Sequence, residues 1–158
     1  MTALARRALD LFVEPAGEVA ALVPLEVGVI GLSERCGVST VARGLELELT
    51  DAHVSDGAGP GRGGVLIAVA DGAGVAALAA LVAERLASRD GPILLVANRP
   101  ADPDEWTTAG ALCVPASWLG ATLVARGHRA RGAMGCALRA IAQAVRDGAC
   151  PATGRRSR

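Results

Sequence analysis

Lysine and tyrosine are absent from this chain of 158 residues, and aromatic residues make up only 2% of it. All sixteen basic residues are arginines, so no lysine of this chain can act in any site. Hydrophobic residues nevertheless reach 51%, which means that the core must be built from alanine, valine and leucine. The formal net charge is zero, which argues against a general nucleic-acid binder.

Paired metal-binding cysteines are also lacking. The four cysteines, none of them in a CxxC pair, are Cys36, Cys113, Cys136 and Cys150. Neither His53 nor His128 lies near them at the spacing of metal ligands. This pattern predicts free thiols in a reducing compartment and no zinc site.

Long uninterrupted apolar runs are missing as well. The N-terminus has no charged-then-apolar signal pattern. The apolar stretch at residues 65–83 is interrupted by Asp71, Gly72 and Gly74, whereas a membrane-spanning helix needs about 20 mainly apolar residues. We therefore expect a cytoplasmic protein without a transmembrane segment.

Four short apolar runs read as buried strands: "LEVGVIGL", "GVLIAVA", "PILLVA" and the run inside "TAGALCVP". Helical patterns follow the first two and the fourth, and the glycine-rich residues 51–64 read as a flexible loop. Continuously apolar strands indicate burial on both faces, which predicts an α/β fold with a mainly parallel sheet flanked by helices. The loops after Ile30, Ala70, Ala97 and Val114 should then share one edge.

The domain prediction has three parts. Residues 25–148 form the α/β domain, residues 1–24 an N-terminal helix and linker, and residues 149–158 a disordered basic tail. In residues 3–13 one helical face carries Leu4, Ala8, Leu11 and Phe12. We expect that helix to dock on its own sheet, with a partner or a membrane surface as the alternatives.

The turn after the first strand resembles a phosphate-binding loop. Gly31 and Gly37 bracket five residues, and a helix follows. Glycines let successive N–H groups point inward as an anion nest, and the positive end of the helix lies at the same point. Ser39 or Thr40 offers a hydroxyl to a magnesium ion. The competing interpretation is a plain strand-to-helix turn with Ser39 as the helix cap.

The charge expected in such a loop is not there. The usual pattern is G-x4-G-K-[ST], but this loop is one residue longer and has Val38 in place of lysine. Arg35 is near enough in sequence to substitute. Cys36 could also act as a catalytic thiol beside an arginine, but the spacing to Arg43 is one residue too long, so we interpret Cys36 as buried or idle.

Together with the rest of the chain, these residues resemble the MinD/ParA family of P-loop ATPases. "CGVSTVARGL" is similar to "GVGATTVAxxL" of those members, including the pilus-assembly CpaE type, whose loop reads "GATT". "GVLIAVADGAGVAALAALVAERLA" is similar to a later strand and helix of the family. "PILLVANRP" resembles the strand whose asparagine contacts adenine, here Asn98. "ALCVPASWLGATLVARGHRARG" resembles the proline segment that lines the base pocket, here Pro115.

The resemblance implies ATP or ADP with magnesium as the ligand. The metal would be held by Ser39 and Asp71. The implied nucleotide-binding residues are Gly31, Ser33, Arg35, Gly37, Val38, Ser39, Thr40, Asn98 and Pro115. The signature lysine of the family is absent, because Leu32 and Ser33 lie at its position. The two switch regions are reduced to residues 51–64, where Asp56 is an alternative to Asp71. The alternative for Asp71 is a turn residue before Gly72.

Three functions remain open from the sequence. The first is a degenerate P-loop domain that binds an adenine nucleotide weakly, hydrolyses nothing, and works through protein contacts with a partner or a second copy. The second is an active ATPase that uses Arg35, Ser39 and Asp71. The third is a ligand-free scaffold. Trp118 is interpreted as core filling, with a contact surface as the alternative, and Trp106 as exposed in a loop.

Overall fold

The computed structural model describes residues 24–60 and 64–149. The helix predicted at residues 3–13 lies outside the described residues, and so do residues 150–158 of the tail predicted at residues 149–158. The first residue of that predicted tail, Ala149, ends a helix instead. The elements, in chain order, are β1 (Leu25–Gly31), α1 (Val38–Glu48), β2 (Ala52–Asp56), β3 (Val65–Asp71), α2 (Ala76–Asp90), β4 (Ile93–Asn98), α3 (Pro103–Thr108), β5 (Leu112–Val114), α4 (Trp118–Ala125) and α5 (Gly132–Ala149).

The strands form one sheet in the order β2-β1-β3-β4-β5, and every neighbouring pair is parallel. Val29 of β1, for example, is in register with Asp56 of β2 and Ile67 of β3. The predicted α/β fold with a parallel sheet is thus confirmed, and all strand ends meet at one edge. The chain reverses direction across the sheet between β1 and β3, the position where open α/β sheets bind ligands.

One face of the sheet is covered by α1 and α5. Both helices are amphipathic, with buried residues at helical spacing. On this face the buried side chains are branched or long: Val27, Val29, Val65, Ile67 and Val69 from the strands, with Val41, Leu45, Met134, Leu138 and Ile141 from the helices. This larger core positions the start of α1 over the carboxyl edge.

The opposite face is covered by α2 and α3 and is rich in alanine. Its buried cluster comprises Ala68, Ala70, Ala76, Ala83, Leu95, Ala97, Trp106 and Ala111. β3 alternates between the two clusters, and its first six residues are all buried. That burial on both faces explains why its sequence is continuously apolar.

The prediction of a loop throughout residues 51–64 is wrong at its beginning. Ala52–Asp56 form the edge strand β2, whose only fully buried residue is Val54. A short strand with one buried residue carries a weak apolar signal, and pairing with β1 supplies the rest. The crossover from β2 to β3 then takes residues 57–64 and contains no helix among its described residues.

That crossover lies against the alanine-rich face of β1. A Cβ atom added to Gly28 would lie 2.5 Å from the nitrogen of Pro60 and 2.6 Å from the carbonyl oxygen of Ala58. Only glycine therefore fits at this position of β1. The part of the face that belongs to β1 is covered by a loop, whereas α2 packs over β3 and β4.

The two tryptophans are placed opposite to expectation. Trp106 is buried in α3, a helix that was predicted as a loop, and its indole N–H donates to the carbonyl oxygen of Gly72 at 3.2 Å. Trp118 is 83% exposed on α4. In the part of the chain that the structure describes, no helix combines the length and apolarity needed to cross a membrane.

Candidate functional site

The loop between β1 and α1 turns through two residues with positive φ, Arg35 at 56° and Gly37 at 85°. Such left-handed residues after right-handed ones turn successive N–H groups to one side, as in an anion nest. Gly37 is the N-cap of α1 and no side chain caps it, so the interpretation of Ser39 as a helix cap is wrong. Ser39 instead lies exposed in the first turn.

Groups of the loop itself lie close to Gly31. A Cβ atom added to Gly31 would lie 2.8 Å from Sγ of Cys36, 3.3 Å from the carbonyl oxygen of Ser33 and 3.8 Å from Cβ of Val38. The thiol is 1% exposed and belongs to the larger core, and Val38 packs against that core. The position where the family has lysine thus faces hydrophobic side chains.

Asn98 anchors the loop to the sheet. It stands at the end of β4, is the only buried polar residue within the described ranges, and donates from Nδ2 to the carbonyl oxygen of Cys36 at 2.8 Å. A Cβ atom on Gly37 would collide with the same amide group. The backbone of the loop is therefore held tightly against β4.

Beside the loop lies a cavity of about 170 Å³. Five of the nine residues implied for nucleotide binding line it: Arg35, Gly37, Thr40, Asn98 and Pro115. Its wall is completed by Arg99, Ser117, Ala121 and Met134. The sheet therefore brings Asn98 and Pro115 next to the start of α1, as the resemblance implies. The volume suits a small group, because pockets for whole ligands usually hold about 300–1,000 Å³.

Arg99 is the residue at this site that sequence reasoning missed. Its guanidinium donates to the carbonyl oxygen of Arg35 at 3.3 Å and lies 4.0 Å from the carboxylate of Asp71. Its backbone has φ 58°, and its N–H donates to Val114 at 2.7 Å. Arg99 directly follows Asn98 in "ANRP". The prediction of Asn98 as a site residue was therefore a signal that Arg99 lies at the site as well. With Arg35, the cavity has two arginine side chains in its wall.

The remaining predicted residues are not at this cavity's wall. Ser33 and Asp71 line a second cavity of about 170 Å³, on the other side of the loop and next to α2. Ser39 is exposed, Gly31 is the last residue of β1, and Val38 packs against the core. The structure thus places five implied residues at the first cavity and two at the second, and the other three line neither.

The residues proposed for magnesium fit the ion poorly. Oδ1 of Asp71 accepts the N–H of Ala73 at 3.2 Å and lies 4.0 Å from the guanidinium of Arg99, which is the geometry of a turn residue. Ser39 does not share the second cavity with Asp71. Across residues 24–60 and 64–149 no group of three or more His, Cys, Asp or Glu side chains is arranged to hold a metal.

Comparisons of the chain with protein-family models, with curated proteins and with solved structures give no significant match. The site is a backbone turn held by Asn98, with an arginine-walled cavity at one side and an apolar cavity at the other.

Proposed function

We propose that this chain is a degenerate P-loop domain of the MinD/ParA-like kind, which binds an adenine nucleotide weakly and works through protein contacts. The observation that carries this proposal is the cavity formed where β1, β4 and β5 end beside α1. There Arg35, Gly37, Thr40, Asn98 and Pro115 form one wall, although they lie far apart in the sequence.

The chemistry of the wall supports an anionic ligand with a flat group. Arg35 and Arg99 carry the only charges in it, both positive, and the α1 N-terminus adds the positive end of a helix dipole. Pro115, Ala121 and Met134 supply apolar contacts suited to a base.

Weak rather than tight binding is proposed because side chains of the loop crowd the space beside Gly31. Sγ of Cys36 and the side chain of Val38 lie over Gly31, so a phosphate group would have to displace them. The amide of Asn98, which would contact adenine, is already donating to Cys36. These same contacts favour the ligand-free scaffold as the second candidate.

Hydrolysis is proposed to be negligible. Phosphoryl transfer depends on positioning and on neutralising the charge of the phosphates. The chain has no lysine, and the carboxylate of Asp71 is occupied by Ala73 and Arg99. An active ATPase would need a rearrangement of Asp71 or an arginine from another chain.

The contact surface for a second protein is proposed on α4. Trp118 is 83% exposed and Leu119 is 61% exposed, and they follow Ser117 in the cavity wall. Tryptophan is enriched among the residues that dominate binding energy at protein interfaces. The partner is a different protein or a second copy. We place the chain in the cytoplasm, consistent with the free thiols of Cys36, Cys113 and Cys136.

Titration calorimetry of the full chain with ATP and ADP, with and without magnesium, tests the proposal. We expect weak heats for both nucleotides, little dependence on magnesium, and no release of phosphate. Tight, magnesium-dependent binding of ATP with turnover would favour the active ATPase. A complete lack of heat with every nucleotide would favour the scaffold and overturn nucleotide binding.

A further inference from the structure

The alanine-rich face of the sheet leaves a long apolar flank of α2 exposed. Val75, Leu78 and Val82 follow one another at helical spacing and are 63%, 60% and 38% exposed. With Leu32 they line the second cavity, next to the end of β1. An exposed apolar stripe of this kind, in contact with a cavity, is typical of a surface that something covers.

The stripe lies where the fold would ordinarily have another helix. In parallel sheets, strands are joined by crossovers that usually contain a helix, and that helix covers the face of the sheet. Here residues 57–64 cross over β1 instead, with Ala58 and Pro60 against Gly28. Among the described residues, no crossover helix therefore packs beside the flank of α2 that faces β1.

We propose that the N-terminal segment of this same chain, residues 3–13, docks in this groove as an amphipathic helix between the apolar flank of α2 and the end of β1. Leu4, Ala8, Leu11 and Phe12 form one face at helical spacing, and they are the apolar residues that would meet Val75, Leu78 and Val82. This inference does not depend on nucleotide binding.

The connection is of the right length. β1 begins at Leu25, so about a dozen residues separate Phe12 from the strand that borders the groove. An eleven-residue helix is about 16 Å long, and the linker can span more than that distance when extended. α2 runs from the carboxyl edge of the sheet, where β3 ends, to the opposite edge, where β4 begins. A helix that leads into the start of β1 would run in the same direction.

The charges agree with that direction. The segment carries Arg6 and Arg7 in its first half and Asp10 in its second half, and Glu14 and Glu18 follow it. At the carboxyl edge of the sheet lie Glu34 and Asp71, although Arg99 offsets part of the charge of Asp71. The exposed Arg85 and Arg89 lie near the C-terminal end of α2. The basic residues of the segment would therefore meet acidic residues at the carboxyl edge of the sheet. The acidic residues that follow the segment would meet the arginines near the C-terminal end of α2.

A double-mutant cycle in the full chain tests this docking. Leu78→Gln and Leu11→Gln each replace leucine by a polar residue of similar size and good helix propensity. Leu81→Gln is the matched control, because Leu81 lies on the same helix, is 49% exposed, and does not line the second cavity. Asp10→Asn is the control within the segment, because Asp10 lies off the apolar face. The readout is urea unfolding followed by circular dichroism, with sedimentation velocity to report the oligomeric state.

We expect Leu78→Gln and Leu11→Gln each to raise the unfolding equilibrium constant by about tenfold, as removal of a buried leucine side chain does. The double variant should unfold like either single variant, because the contact is shared. Both control variants should have the unfolding equilibrium constant of the wild type. If Leu78→Gln behaves like Leu81→Gln in a monomeric protein, or if its effect adds fully to that of Leu11→Gln, the docking is overturned. A concentration-dependent effect with a dimer in sedimentation would assign the surface to a second copy and overturn it as well.

Discussion

The side-chain amide of Asn98 donates a 2.8 Å hydrogen bond to the carbonyl oxygen of Cys36, which joins the end of β4 to a loop 62 residues earlier. Asn98 is 6% exposed, so neither group can turn to water without moving the backbone. Together with the bond from Arg99 to the carbonyl oxygen of Arg35, it connects the two parts of the chain that form the arginine-walled cavity.

Replacing Asn98 by alanine should lower the free energy of unfolding by about 1–3 kcal/mol, because the carbonyl of Cys36 would remain buried without a donor. Denaturant unfolding of the purified chain measures the change. Gln143→Ala is the control, since that amide is exposed on α5 and donates to Asp147 on the same helix. Its effect should stay within about 0.5 kcal/mol. Equal effects of the two variants would mean that the Asn98 bond does not hold the loop.

Gly37→Ala should destabilise the fold more than Gly127→Ala does. Both glycines have positive φ, 85° and 79°, so each alanine carries the same left-handed strain of about 1–2 kcal/mol. Around Gly127 there is no atom within 4 Å to clash, whereas at Gly37 the new Cβ would meet the amide of Asn98. The difference between the two urea midpoints measures that collision. Identical midpoints would show that the loop and β4 separate freely.

The tryptophans should differ in both stability and fluorescence. Trp106→Phe leaves the carbonyl of Gly72 without its donor and should cost about 1–3 kcal/mol, whereas Trp118→Phe should change stability by less than about 0.5 kcal/mol. In the Trp118→Phe protein, Trp106 is the sole emitter, and its emission should be blue-shifted and protected from iodide. Strong quenching in that variant would contradict the burial of Trp106.

Arg35→Ala should weaken any binding of ATP or ADP by about tenfold, because a hydrogen bond to a charged group contributes roughly 1.5–3 kcal/mol. The measurement is the same calorimetric titration, and Arg85→Ala on α2 serves as the control far from the cavity. Unchanged affinity in Arg35→Ala would count against a phosphate contact by Arg35, and Arg99→Ala would then be the next variant.

Strongly periodic segments were predictable from the sequence. The α/β class and the carboxyl edge follow from continuously apolar strands such as β3, whose first six residues are buried. The proximity of Asn98 and Pro115 to the loop followed from the same reasoning. What the loop contains was not predictable, because the packing of Cys36 over Gly31 depends on tertiary contacts that no local pattern records.

Some misses had a signal that was available. In "ADPDEW", Asp102 is followed by a proline and two acidic residues, which is the start signature of a helix. The structure has α3 there, with the Asp102 side chain accepting from Asp104 and Glu105. Because that helix buries Trp106, missing it also misplaced the tryptophan. β2 offered little signal, since pairing with β1 rather than its own pattern makes it a strand.

The unequal composition of the two sheet faces has a consequence for motion. On one side α5 seals the sheet with Leu138, Ile141 and Val145, while on the other α2 does so mainly with alanine methyl groups. Less apolar area per turn means a smaller free energy for local opening. Amide protons of α2 should therefore exchange with deuterated water earlier than those of α5, so that the molecule loosens from its alanine side while the other half stays closed.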